Sequence, residues 1–536
     1  MSGFKPNRRQ FLKRSGLVLG ASAVSPQLWS HTSNVPAPAI ISPETARAKL
    51  PQGIQIGDVN QSNAMVWSRA DRPSRMLVEY SYHENFSRSH TIRGPYALEQ
   101  NDFTARLDLG RLKSDRDVFV RVSFQDLTNE RIVSEPATGH FVTAPKHDSR
   151  DIHFVWSGDT AGQGWGINPE FGGMKIYDAM RREKPDFFIH CGDNIYADGP
   201  IAEYQTAENG MQWHNIVTEE VSKVAEALNE FRGRYRYNML DDNIRAFNAE
   251  VPQIWQWDDH EVVNNWSDSK DLSEDDRYTE KNVPLLIARG ATAFREYAPM
   301  RPYSARESDR VYRHIPYGKL LDIMVVDMRS YRGPNSANDQ QHPGPETRFF
   351  GEAQLQWLKH KLMHSRAVWK VIAADMPVGL IVRDGAEYYE NMANGDGAPR
   401  GRELEMAHLL RFIKMNRIKN VVWLTADVHY CAAHYYSPEN AVYKNFSPFW
   451  EFVAGPLNAG SFGPNALDNT FGPSIVFQKA PPAPNYSPYA GFQFYGDVAI
   501  DQYSAEMTVS LKDIDGNGVF SQKIEPERSP FNWGKH

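Results

Sequence analysis

The sequence contains little cysteine and no long apolar run. Cys191 and Cys431 are its only cysteines, so a disulfide framework cannot be what stabilises the fold, although one bridge between them stays open. The apolar run S-G-L-V-L-G-A-S-A-V at 15–24 is far shorter than the roughly 20 residues that cross a bilayer. We therefore expect no membrane anchor once a leader is removed.

Lys and Arg are spread thinly after the first twenty residues, and internal repeats are absent. The net charge is -7 at pH 7, and no basic face is present that would neutralise a phosphate backbone. We therefore expect no nucleic-acid-binding surface. The absence of repeats excludes solenoids and propellers. A length of 536 residues exceeds what one hydrophobic core usually serves, so at least two domains are expected.

The N-terminus has the order of a twin-arginine export signal. Arg8 and Arg9 lie in N-R-R-Q-F-L-K-R, directly before the short apolar run. We predict that residues 1–43 form a signal and leader, that the twin-arginine export machinery is a partner, and that the protein is periplasmic or secreted. The cleavage site stays open between 21–23 and Pro43. The alternative is a basic leader without a targeting role.

Two patterns of hydrophobicity divide the rest of the chain. At 48–145, short alternating runs such as A-M-V-W-S-R and T-A-R-L-D-L predict an all-β sandwich. At 150–525, apolar runs such as F-F-I-H-C and W-K-V-I-A-A-D alternate with helix-like segments, which indicates strands covered on both faces in an α/β or α+β domain. A surface helix is predicted at 221–236, and a loop-rich functional cover at 445–495.

Several apolar strands end in a carboxylate. Asp159 ends F-V-W-S-G-D, Asp193 follows F-F-I-H-C-G, and Asp427 and His429 follow V-W-L-T-A. Charged groups at the tips of buried strands gather at one edge of a sheet, where they would repel one another. Multivalent cations relieve that repulsion, and this oxygen-rich set suits iron, manganese, zinc, magnesium or calcium.

The order of the motifs resembles a known family. S-G-D, G-D-N-I-Y, W-D-D-H-E-V-V-N-N-W, D-M-R-S-Y-R and L-T-A-D-V-H follow one another along the chain. Each is common alone, but together they resemble the PhoD-type alkaline phosphatases of the calcineurin-like metallophosphoesterases. The resemblance covers nearly the whole mature chain. It implies an α/β (α+β) four-layer metallophosphoesterase-type sandwich with a smaller N-terminal all-β sandwich domain.

The resemblance also implies a two-metal site. Asp193 would bridge the metals, and Asp159, His429 and the phenolate of Tyr196 would bind the first, which implies Fe(3+). The alternative for Tyr196 is a core tyrosine. Relatives often have cysteine where this chain has Asp159, so an iron–thiolate bond is in doubt. Cys191 is expected to face away from the metals by strand alternation.

The second metal would be Ca(2+) or another divalent ion (Zn, Mn or Mg). The resemblance places three residues on it: Asp259, Asp427, and Asn264 or its neighbour Asn265. The family's mid-chain histidine ligand has no obvious match, and Asp375 is the nearest candidate.

Two further residues match catalytic positions of the family. His260 would meet the phosphate or protonate the leaving oxygen. Arg329 would contact the phosphate with its planar fork; the alternative is a surface salt bridge.

The resemblance implies a secreted alkaline phosphatase that hydrolyses phosphomonoesters, and phosphodiesters as well, by a metal-bound hydroxide. Small-molecule phosphate esters would be its substrates. The D-S-A serine motif of the other alkaline phosphatase type is absent, so no phosphoenzyme is needed. One alternative is a phospholipase-D-like or other phosphodiesterase on the same metals. A more distant alternative is a non-catalytic secreted binding protein.

Overall fold

The structure is a computed structural model that describes residues 44–147 and 150–527. The chain divides into two compact units, Met1–Glu44 and Thr45–His536, and all features below belong to the second. The predicted export signal, with Arg8 and Arg9, lies outside the described residues. Over the two described ranges, no helix combines the length and apolarity needed to cross a membrane.

The N-terminal strands build the predicted sandwich. They are β1 (Ile54–Gly57), β2 (Ala64–Arg69), β3 (Ser74–Ser81), β4 (His90–Ala97), β5 (Thr104–Leu109), β6 (Asp117–Asp126) and β7 (Ala137–Val142). One sheet has the order β4-β3-β6-β7, and β1, β2 and β5 pack against it. Alternating apolar side chains such as Val66, Val78 and Val120 fill the core between them.

Helices and strands alternate over residues 152–425, as predicted, and strands without intervening α-helices follow. The strands that follow are β8 (Ile152–Ser157), β9 (Phe187–Cys191), β10 (Tyr204–Thr206), β11 (Gln212–His214), β12 (Gln253–Gln256), β13 (Arg313–Pro316), β14 (Leu321–Val325), β15 (Trp369–Ala373), β16 (Arg383–Asp384), β17 (Tyr388–Tyr389), β18 (Val421–Thr425), β19 (Cys431–Tyr436), β20 (Phe449–Val453), β21 (Pro473–Lys479), β22 (Phe494–Ile500), β23 (Met507–Asp513) and β24 (Gly518–Ile524). The α-helices are α1 (Lys175–Arg182), α2 (Leu228–Asn238), α3 (Asp242–Glu250), α4 (Val283–Tyr297), α5 (Glu352–His364) and α6 (Glu403–Met415).

Two large sheets form the centre of the molecule. The nine-stranded sheet has the order β24-β23-β22-β8-β9-β12-β1-β2-β5, and the seven-stranded sheet has the order β13-β14-β15-β18-β20-β19-β21. The N-terminal strands therefore continue the nine-stranded sheet, through the pairing of Gly57 with Gln253. Strands β8, β9 and β12 run parallel, as do β14, β15, β18 and β20.

Strand alternation sorts the apolar residues into layers. Trp156 of β8 and Val371 of β15 face a core shared by the two sheets. Val155 packs with helices α1 to α4 on one outer face, and Ile372 packs with α5 and α6 on the other. These contacts make a helix–sheet–sheet–helix stack, which confirms the predicted four-layer sandwich.

The predicted surface helix at 221–236 is wrong in extent and in burial. Only Leu228–Asn238 is α-helical, because the carboxylate of Glu230 accepts the backbone N–H groups of Glu226 (2.7 Å) and Ala227 (2.8 Å) and fixes the start of the helix. Phe231 and Tyr235 are buried in the core, so α2 is an interior helix.

The segment at 445–495 is only partly a loop. It contains β20 and β21, and the connections at 454–472 and 480–493 have little regular structure. The first connection begins where β20 ends and contacts the turn after β8, since the N–H of Leu457 donates to the carbonyl of Gly158 (2.9 Å). It therefore lies at the sheet edge where the strand-end carboxylates were expected.

A buried ion pair ties the two large sheets together. The guanidinium of Arg313, on β13, donates from Nε and Nη2 to the carboxylate of Asp58, which follows β1, at 2.8–3.0 Å. Its Nη1 also donates to the carbonyl of Trp255 on β12 (2.8 Å). Both charged side chains are buried, so each depends on the other for charge compensation.

We predict that Arg313→Met destabilises the protein by about 3–5 kcal/mol, because it leaves the buried Asp58 carboxylate without the guanidinium that compensates its charge. Urea unfolding followed by circular dichroism measures the loss. The double variant Asp58→Asn, Arg313→Met should recover part of it, since no lone charge is then buried. If Arg313→Met unfolds at the wild-type urea concentration, the pair does not carry this role.

Candidate metal centre

The polar residues that end the parallel strands meet at one edge of the two sheets. The nine-stranded sheet contributes Asp159 after β8, Asp193 after β9, and Asp258 and Asp259 after β12. The seven-stranded sheet contributes Asp375 after β15, and Asp427 and His429 after β18. This is the edge at which open α/β sheets bind ligands.

Sharp turns direct these side chains. Asp159, Asp193, Asp427 and His429 all have left-handed backbone angles, with φ between 52° and 67°. Asp, Asn and His enter this region more readily than other non-glycine residues, at a cost of about 1–3 kcal/mol each. The residue before Asp193 is Gly192. A Cβ at this position would lie 2.5 Å from the Cβ of Asp258, so a larger residue does not fit.

Hydrogen bonds between the turns offset that cost. The N–H of Asp159 donates to the carbonyl of Gly192 (3.2 Å), and the N–H of Thr160 donates to the carbonyl of Asp193 (2.9 Å). The Glu261 carboxylate accepts the N–H of Asn194 (2.6 Å). The turns after β8, β9 and β12 are therefore fixed to one another.

The acidic and histidine side chains form three overlapping groups in which the ligand atoms lie within 4.8 Å of one another. The groups are Asp159, Asp193 and His429; Asp193, Asp259 and His260; and Asp258, Asp259 and Asp427. Asp193 belongs to the first two and Asp259 to the last two. The arrangement suits more than one cation, with a carboxylate shared between neighbouring positions.

The chemistry of this donor set fits metal ions. Both carboxylate oxygens of Asp159 and the Oδ1 atom of Asp259 are buried without a hydrogen-bond partner among the described residues. Burial and neighbouring carboxylates raise the pKa values of Asp159, Asp193 and Asp427 well above the usual range. Cations must displace protons from these groups, so the affinity for metal ions falls as the pH falls.

Asp259 differs from its neighbours. Burial raises the pKa of its carboxyl, but His260 and Arg329 outweigh burial and lower it to about 2. Its Oδ2 atom accepts the backbone N–H of Asn265 at 2.5 Å. Asp259 therefore stays charged even where the other carboxylates hold protons.

His429 directs one nitrogen lone pair into the centre. Its Nδ1 donates to the carbonyl of Gly460 (2.5 Å), so its Nε2 carries the lone pair. Burial lowers the pKa of the imidazole to about 4 and keeps it neutral. Nε2 lies 2.8 Å from the hydroxyl of Tyr196 and 3.8 Å from Oδ1 of Asp159.

Tyr196 lies inside the centre. Its hydroxyl faces His429, and its ring centroid is 4.3 Å from that of His260. Burial, with Asp193 and Asp159 nearby, raises the pKa of the phenol well above its usual range. A bound cation would be needed to hold it as a phenolate.

His260 is oriented by a carboxylate that the motif comparison missed. Its Nδ1 lies 2.7 Å from Oδ1 of Asp198, and its Nε2 lies 4.0 Å from Oδ1 of Asp259. Burial lowers the pKa of the imidazole, but Asp198 and Asp259 more than compensate and raise it to about 10. The two carboxylates therefore favour the protonated imidazole.

Arg329 does not present a free guanidinium to a substrate. Its side chain is fully buried, and it donates to Asp258 from Nε (2.6 Å) and to Glu390 from Nη1. Asp375 lies 3.5 Å from Nε. Three carboxylates enclose this buried cation, so Arg329 is not a surface salt bridge, and the phosphate contact stays a prediction.

Four other residues named from the sequence have these surroundings. The side chain of Asn264 is exposed, and its N–H donates to Asp198 (2.8 Å). Its neighbour Asn265 contributes its N–H to Asp259. Asp375 faces Arg329, and Cys191 packs in the core between the sheets, with Sγ 3.8 Å from the Leu424 carbonyl. Both cysteines are free.

Sequence reasoning missed Asp258 and Asp198. Asp258 precedes Asp259 in W-D-D-H, where the motif alignment selects only one of the two. Asp198 is the second aspartate of G-D-N-I-Y-A-D-G, five residues after Asp193. A second carboxylate in each motif was the available signal.

Comparison with known proteins identifies the family. The family model described as PhoD-like phosphatase matches residues 154–511, and the model for the N-terminal domain of PhoD-like phosphatases matches residues 35–145. Alkaline phosphatase D of Bacillus subtilis (strain 168) is 30% identical over 334 residues, which are 60% of this chain and 54% of that protein. The chain thus aligns with about half the length of this curated relative.

Two solved structures share the fold. One is described as PhoD, with a TM-score of 0.65 and 20% identity over 90% of this chain and 93% of that one. The other is a purple acid phosphatase from yellow lupin (Lupinus luteus) seeds, with a TM-score of 0.54 and 12% identity over 88% of this chain and 74% of that one. With the catalytic-domain match running from β8 to β23, the chain belongs to the PhoD-like phosphatase family.

Proposed function

We propose that this protein is a metal-dependent phosphoric ester hydrolase, an alkaline phosphatase of small phosphate esters. The observation that carries the proposal is the set of three overlapping carboxylate and histidine groups, which includes buried oxygens without partners and has His260 in one of the groups. Bound ions would lower the pKa of a water molecule and neutralise the charge of the phosphate.

The chain's own residues perform the remaining tasks. Asp198 holds Nδ1 of His260, so Nε2 presents its proton toward Asp259 and the ion positions. That proton is available to the leaving oxygen as the ester bond breaks. Burial lowers the pKa of the imidazole, but Asp198 and Asp259 raise it overall, which favours the protonated form that a general acid requires.

We extend the proposal to phosphodiesters, because attack by hydroxide does not require a free phosphate dianion. A phospholipase-D-like activity would use the same centre with a different substrate pocket.

For the ions, we propose Fe(3+) beside Tyr196 and His429, and Ca(2+) or Zn, Mn or Mg at the carboxylate-rich position. Tyrosinate, imidazole and carboxylate suit a hard ferric ion.

We further propose that the protein is exported by the twin-arginine machinery to the periplasm or the medium. The proposal is supported by Arg8 and Arg9 and the short apolar run that follows them. Export of a folded protein would let the ions bind before the protein leaves the cytoplasm.

The first prediction tests the reaction. Metal-replete protein should hydrolyse an aryl phosphate and a bis-aryl phosphate, with rates that rise above neutral pH, and chelation should abolish both activities. Asp193→Asn should lower kcat/KM by more than about 100-fold, since loss of outer-shell partners alone costs about 10–100-fold. Steady-state kinetics measure this, with the exposed Asp276→Asn as control. Turnover of neither ester by the metal-replete protein defeats the proposal.

The second prediction concerns iron. A phenolate bound to a ferric ion gives an intense visible charge-transfer band, so native protein should be coloured and Tyr196→Phe should remove the band. Visible absorption with elemental analysis tests this, and Tyr503→Phe, at an exposed tyrosine, should keep the colour. A colourless native protein that is fully active with zinc or calcium alone would exclude the ferric ion without touching the phosphatase proposal.

The third prediction concerns export. Replacing Arg8 and Arg9 with lysine should leave active enzyme in the cytoplasm, because the export machinery recognises the arginine pair. Activity in cell fractions measures the distribution, and Arg14→Lys, outside the pair, should be exported normally. Normal secretion of the double variant would contradict this interpretation of the leader.

A further inference from the structure

Asp258 and Asp259 are neighbours in the sequence and belong to the same candidate metal group. Each is connected by a separate chain of contacts to one short hairpin, formed by β16, β17 and the residue that follows. We refer to residues 383–390 as the 383–390 hairpin.

The first chain of contacts leads from Glu390 to Asp258. The Glu390 carboxylate accepts from Nη1 of Arg329, whose Nε donates to Oδ1 of Asp258 at 2.6 Å. All three side chains are buried. Arg332 and Arg402 donate to the carbonyl of Glu390, so this end of the hairpin is held firmly.

The second chain leads from Asp384 to Asp259. Nδ2 of Asn265 lies 3.3 Å from both Oδ1 of Asp384 and the carbonyl of Arg383, and the N–H of Asn265 donates to Oδ2 of Asp259 at 2.5 Å. Asn335 braces the pair, since its Nδ2 donates to Oδ2 of Asp384 (2.8 Å) and to the Asn265 carbonyl (3.0 Å).

The hairpin is fixed at its base and open at its tip. The N–H of Tyr389 donates to the carbonyl of Ser336 (2.9 Å), and the N–H of Glu390 donates to the carbonyl of Val382 (3.0 Å). Residues 385–388 are exposed. The buried contacts of the hairpin are therefore concentrated where they reach the metal groups.

We propose that the 383–390 hairpin positions the Asp258–Asp259 pair for ion binding, with Asp384 and Glu390 as its two positioning residues. The inference rests on the proposed function, because it takes Asp259 as a ligand. Without the Asp384 carboxylate, Asn265 loses one of its side-chain acceptors and Asn335 loses the oxygen that braces it. The Asn265 N–H that orients Asp259 then has more freedom, and ligands that are less well oriented bind ions more weakly.

The test measures binding of Mn²⁺ alone to metal-free full-length protein by calorimetry, with thermal unfolding recorded in parallel. Asp384→Ala should lower the affinity of the lower-affinity Mn²⁺ site by about 10–100-fold. We expect little change in kcat at saturating Mn²⁺ and little change in Tm. Asp384→Asn keeps one amide oxygen and should recover part of the affinity. Glu387→Gln, at an exposed carboxylate of the same hairpin, should bind like wild type.

Glu390→Gln tests the other chain of contacts and should also weaken Mn²⁺ binding, since Arg329 loses a charged partner. Wild-type affinity in both Asp384→Ala and Glu390→Gln overturns the inference and leaves the proposed function standing. If the wild-type protein binds no Mn²⁺ and hydrolyses no phosphate ester with any metal, the proposed function and this inference fall together.

Discussion

Mutual repulsion among buried carboxylates is the constraint that this structure is built around. Asp159, Asp193, Asp258 and Asp259 are buried at one edge of two facing sheets, and Asp427 is half-buried beside them. Burying like charges together is costly unless protons or cations compensate. Bound cations would supply this compensation, and ion binding would then be linked to folding.

The protein supplies part of the compensation itself. Arg329 lies behind the carboxylates, bonded to Asp258 and Glu390, and His260 carries a proton stabilised by Asp198. Arg329 is therefore a structural counter-ion in this conformation, although the motif comparison gave it a substrate contact. A sequence motif preserves the residue type that a site requires, but which partner the side chain selects depends on the surrounding tertiary contacts.

The predictable parts of the molecule are those that follow from local periodicity. Alternating runs, such as the run that forms β2, predicted the sandwich. Apolar runs that end in Asp159 or Asp193 indicated the edge of the sheets at which the metal groups lie. The position of Arg329 depends on Glu390, which is distant in sequence and carries no motif. The length of α2 depends on capping by Glu230 and on burial of Phe231, and neither is visible in the helical pattern of 221–236.

The left-handed turns at Asp159, Asp193, Asp427 and His429 have a consequence for how this protein can change. Glycine at any of them would relieve backbone strain, so selection for thermal stability alone would favour replacing the residues that the centre uses. β-Branched or bulky replacements would strain the left-handed backbone further and would also remove a metal-ligand atom. Evolution or engineering of a hardier variant therefore has to gain its stability elsewhere, in the helix layers and the N-terminal sandwich.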